Sequence, residues 1–205
     1  MLLRQYQNTR HFGVNSKPFG ISFGKWTVSW WRWALSIPKS INPLIDETGN
    51  NANRNQRRDV WFLAGKLADR QSHFPQRRCN IPAGTAILFP IINCEANILE
   101  YPDKDENDLI EYVVNHTENM TDKKCLVDGI IIPGMRVPSD PKVFDIFINR
   151  ENILGIPNGG TTVASADGYW VFLRALEMGD HIIEFHGSCS SGTNKSGSKY
   201  ILSVS

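Results

Sequence analysis

The chain has 205 residues, 41% of them hydrophobic and 21% charged, a balance that supports a real core in one domain. A net charge of +1 supplies no field to recruit nucleic acid or an acidic membrane, and no apolar run is long enough to span a bilayer. The segment Met1–Gln7 lacks the hydrophobic core of an export signal, so a soluble cytoplasmic protein is expected. Glycosylation-type triplets at Asn115, Asn119 and Asn194 leave an extracellular location open.

Residues 1–20 are polar and aperiodic and read as an irregular extension to a single domain over 21–205. A helix is expected over about 23–37, with Ser22 as N-cap and Pro38 as its stop. Four tryptophans crowd into it. Trp26, Trp30 and Trp33 share one face with Ile37, while Val28, Trp31 and Leu35 lie roughly opposite. Only Lys25, Ser29, Arg32 and Ser36 form a polar strip. A helix apolar on two sides is covered on both, so the cluster reads as core before it reads as an aromatic binding platform. Trp31 is the ring expected to be the most exposed of the four.

The run Thr48–Gln56 is a loop rich in turn residues. Val60–Ala64 is a strand buried on both faces, and Thr85–Ile92 is a second, in which Pro90 calls for an edge position or a bulge. The basic runs Arg54–Arg58 and Gln76–Arg78 read as solvated loop charge. Residues 106–120 form the second helix, with acidic residues at its start. Cys125–Ile132 is a hairpin turning at Asp128-Gly129. Phe144, Ile146 and Ile148 alternate with polar or aromatic neighbours as a strand. Asp167-Gly168 is expected to be a turn before the strand to Leu173, His181–His186 is a strand, and Ser188–Ser198 a mobile hairpin loop before Tyr200–Val204. About eight short strands with two inserted helices indicate a mainly β protein, an antiparallel, jelly-roll-like β-sandwich.

Chemistry is thin. No phosphate loop, zincin, EF-hand or nucleophile-elbow pattern occurs, so no catalytic residue, metal or cofactor is expected. His181 and His186 are five apart in one strand and project from opposite faces. Cys79 follows Arg77 and Arg78, which favour its thiolate, but it has no histidine partner in reach. Glu95 follows a strand end from which a side chain can enter a cleft. Trp31, its neighbour Arg32 and Glu95 are therefore the candidate binding residues.

The strings Trp30-Trp31-Arg32-Trp33-Ala-Leu-Ser-Ile-Pro38, Asn42-Pro43, Val60–Gly65, Ile81–Asn93 and Asp167–Leu173 together resemble a family of small archaeal and bacterial proteins, over about Phe19 to the C-terminus. The resemblance implies architecture and supplies no catalytic residues. It also implies a bridge between Cys79 and Cys189. The chain departs from the family at Met135–Pro141 and Arg150–Ile153, which puts any loop-borne ligand site in doubt. The resulting expectation is a non-catalytic binding module for a carbohydrate or another protein. The alternatives are a structural, self-associating protein and, more distantly, a hydrolase using Glu95.

Overall fold

In the computed structural model, residues 10–70, 73–189 and 192–205 are described, and their strands form two five-stranded sheets. In sheet 1 the order is β1 (Val60–Phe62), β3 (Ala86–Asn97), β8 (Gly160–Leu173) and β6 (Met135–Arg136), with β7 (Val143–Ile148) also paired to β8. In sheet 2 it is β2 (Gln76–Ile81), β10 (Asn194–Val204), β9 (Gly179–Cys189), β4 (Thr121–Val127) and β5 (Ile130–Ile131). The protein is mainly β, a sandwich with two inserted helices. The long strands pair antiparallel as expected, but β1 with β3 and β2 with β10 run parallel, so both sheets are mixed.

Helix α1 (Phe23–Ser36) begins where Ser22 Oγ accepts the Lys25 amide at 3.3 Å. It lies on one face of sheet 1, with Ala86, Leu88, Ala164, Ala166, Trp170 and Phe172 in the same cluster. Its other side is covered by loop residues such as Leu44 and Ile156. All four of its tryptophans are buried, Trp31 at 7% exposure being the least so. Trp30 meets Trp31, Trp33 and Trp170 at ring-centre distances of 5.0, 5.7 and 5.4 Å. Each ring removes on the order of 200 Å² from water, roughly 5 kcal/mol of transfer free energy before entropy. The indole N–H groups of Trp26, Trp30 and Trp33 donate to the carbonyls of Pro18, Leu63 and Arg54. The cluster is core.

The other face of sheet 1 packs on sheet 2 through Ile87, Phe89, Val171, Phe185 and Leu202. Further along, helix α2 (Glu106–Glu118) replaces sheet 2 and covers Ala96 with Leu109 and Val113. Asp105 starts α2 with a reciprocal capping box to Asp108. Pro90 does mark a bulge, since the register with β8 shifts between Pro90 and Ile92. Before it, odd residues of β3 face sheet 2; after it, even residues do. Asn93, Glu95 and Asn97 are thereby turned toward the α1 side.

Three expectations need correction. Gln76–Arg78 is not loop but part of β2, and Arg77, at 1% exposure, donates to the carbonyls of Asp46 and Ala64 and to the Tyr200 hydroxyl. Asp167-Gly168 lies inside β8, where Asp167 binds Arg136 at 2.8 Å. Residues 188 and 189 belong to β9 and residues 194–198 to β10, so most of the expected mobile loop is strand, and residues 190 and 191 of it lie outside the described residues. Residues 10–12 are bonded to the end of β8, with the Phe12 amide donating to the Phe172 carbonyl, while residues 1–9 of the expected extension lie outside the described residues. No described helix is long and apolar enough to cross a membrane.

Candidate functional site

Strand β1 pairs only with Ala86–Leu88. Among the described residues no strand covers that edge of β3 farther on, and a cavity of about 230 Å³ opens there. Trp30 and Trp31 of α1 wall it on one side, the segment Gly65–Ala68 on another, and His116 and Met120 at the end of α2 on a third. Asn93, Cys94, Glu95 and Glu100 reach it from β3 and the loop after it, and Cys189 from the end of β9.

Glu95 is the chemical centre of this cavity. Burial raises its pKa, the charge of Glu100 raises it further, and a hydrogen bond from Asn97 only partly offsets them, so it is pushed up to about 8. The carboxyl is therefore mostly protonated at neutral pH and able to donate as well as accept. Burial raises Glu100 too. The fully buried Asn97 ties the two together. Its Oδ1 accepts the Glu100 amide at 3.0 Å, which fixes the amide's orientation, and its Nδ2 donates to Glu95 Oε1 at 3.2 Å and Glu100 Oε2 at 3.4 Å.

Two buried donors in the cavity wall have no partner, Trp31 Nε1 and Asn93 Nδ2. Trp61 and Trp170 also bury unpartnered ring nitrogens. What distinguishes Trp31 is the open volume beside it. A buried donor left without an acceptor costs about 1–3 kcal/mol, which an occupant offering an acceptor would recover. His116 Nδ1 donates to the Tyr112 carbonyl at 2.9 Å, which fixes the ring in the cavity wall.

The structure brings Trp31 and Glu95 to one cavity and excludes Arg32 from it. Arg32 Nε donates to the Asp145 carbonyl at 2.9 Å, and its guanidinium lies 6.0 Å from the Phe144 ring, on the β7 side of α1. One residue of helix turns a side chain by about 100°, which separates Arg32 from Trp31. The thiolate expected at Cys79 is also corrected. Burial pushes that thiol up to about 12, and the charge of Arg77 only partly opposes it. The bridge from Cys79 to Cys189 does not fit the register. Cys79 lies level with Leu202 and, through it, His181, whereas Cys189 is eight residues farther along β9. At about 3.3 Å per residue that is roughly 26 Å, against the about 4.4–6.8 Å between Cα atoms that a disulfide spans.

Asn93, Asn97, Glu100 and His116 were missed from sequence. The first two had a signal, because Asn93, Glu95 and Asn97 recur at the period of a strand face and continue β3 beyond Ile92. Among the described residues no group of three His, Cys, Asp or Glu is placed to hold a metal. No protein-family model, curated protein or solved structure matches the chain.

Proposed function

We propose that this protein binds a small hydroxylated molecule, a monosaccharide or polyol, in the cavity at the open edge of β3. The observation that carries the reading is the unpartnered Trp31 N–H in the wall of the same half-open, largely apolar cavity as Glu95. Such a ligand supplies the acceptor that Trp31 and Asn93 lack and both accepts from and donates to Glu95. The volume, about 230 Å³, falls below the roughly 300–1,000 Å³ of sites for drug-sized ligands, and it favours a small occupant over a protein segment. The buried tryptophans argue against sugar stacking on an exposed ring. Titration with hexoses, pentoses and small polyols, followed by calorimetry and tryptophan emission, should give a saturable response. W31F should weaken the best ligand about two- to tenfold, the value of one neutral hydrogen bond. Heat and emission unchanged across the panel at millimolar ligand overturn the reading.

A second reading, hydrolysis of a glycosidic bond, is favoured by the carboxyl pair. Burial raises both carboxyls, and the charge of Glu100 raises Glu95 further, a division suited to a general acid and its partner. Turnover of aryl glycosides that E95Q abolishes while ligand binding persists would replace binder by enzyme. Self-association, through the outward Ile182 and Ile201 of sheet 2, predicts a mass that rises with concentration in light scattering.

A further inference from the structure

The two sheets come unusually close at one point. A Cβ added to Gly187 of β9 would lie 2.6 Å from Ile92 Cγ2 and 2.8 Å from Ile92 Cβ, so only glycine permits the approach. Packed sheets ordinarily stand about 10 Å apart. Side chains alternate along a strand, so Cys94 shares the face of Ile92 and Cys189 the face of Gly187. Both cysteines line the same cavity, and Cys189 is near enough for its charge to oppose ionisation of Cys94. The other two thiols are elsewhere. Cys125 sits in the inter-sheet core opposite Phe185, and Cys79 lies level with the far end of β9.

We propose that Cys94 and Cys189 are disulfide partners, joining the β9–β10 hairpin to β3 in the wall of the cavity. The oxidant is a small disulfide of the glutathione class. One cysteine thiolate attacks it and releases a glutathione thiolate, forming a mixed disulfide. The second cysteine thiolate then displaces the remaining glutathione as thiolate, and the S–S bond closes. Two electrons pass to the oxidant, which becomes two molecules of glutathione, and the two cysteine protons leave to solvent or to the glutathione thiolates. Burial pushes the Cys94 thiol up to about 12, so the exchange is slow at neutral pH.

The test is incubation of the folded protein with oxidised glutathione at mildly alkaline pH, followed by alkylation and peptide mass spectrometry without reduction. The expected result is a cross-linked pair of peptides carrying Cys94 and Cys189, two thiols remaining of the original four, and a rise of several degrees in the unfolding midpoint that reduction reverses. C79S and C125S should each retain the cross-link. Persistence of all four thiols, glutathione adducts at Cys94 or Cys189 that never resolve, or a cross-link through Cys79 or Cys125 each overturns the proposal. The mapping uses the unmutated chain, so a variant that fails to fold does not protect it.

Discussion

Glu95 makes a pH-dependent contribution to stability whose sign is fixed by the direction of its shift. Its folded pKa, about 8, lies above the ordinary 4.5, so its contribution is fully present below about pH 4.5 and is lost as pH rises through 8. E95Q cannot ionise. The unfolding midpoint of E95Q relative to wild type should therefore climb steadily between pH 5 and 8.5, and a constant difference across that range would reject the assignment. His181 adds a smaller effect of the same sign. Burial alone would lower its pKa, but Nδ1 bonds Asp128 and Nε2 the Glu177 carbonyl, and the net shift is upward. Arg77 is the other decisive residue. R77M would take the Arg77 donor from the Asp46 carbonyl and leave the Ala64 carbonyl with the Tyr200 hydroxyl, and a loss of roughly 1–3 kcal/mol in chemical denaturation is expected. Glu95 was legible in the sequence as a carboxylate after an apolar strand. Arg77 was not, because a guanidinium among polar neighbours looks solvated until the carbonyls that receive it are brought together by the fold.

At the scale of elements, the tryptophan helix was legible almost completely. Its N-cap, its stop and its two apolar sides all follow from side-chain period, and coverage on both sides followed from them. Within it the rings differ in consequence. W30A removes the ring that touches three other indoles and should cost about 3–5 kcal/mol, whereas W31F keeps most of the packing and should cost far less; equal losses in denaturant titration would contradict this arrangement. The bulge in β3 was signalled by Pro90, but its effect was not, since nothing local says which face the strand will present afterwards. Inserting one residue between Ile92 and Asn93 would undo the switch, turning Glu95 away from α1 and the even residues toward it. Such a chain should lose cooperative unfolding, as seen by calorimetry, because Cys94 and Ala96 would exchange places with Glu95 and Asn97.

For the whole molecule, fold class was readable, and strand partnership was not. Periodicity reports whether a segment is buried on one face or two, but the parallel joins of β1 to β3 and β2 to β10 depend on contacts distant in sequence. The site inherits that limit. Its walls come from α1, β3, α2 and the end of β9, which no local pattern assembles.

Strand β10 lies between β2 and β9, and β2 pairs only with it among the described residues. During synthesis at about 5–20 residues per second, β2 therefore waits on the order of ten seconds for its neighbour to be made. Over that interval its edge is open, and Arg77 lacks the Tyr200 hydroxyl that will later receive one of its N–H groups. The nascent chain can shape the α1 side early, but sheet 2 is settled only after β10 leaves the ribosome. Interrupting translation between β9 and β10 should yield a chain that is sticky and easily digested, with its aromatic helix already made.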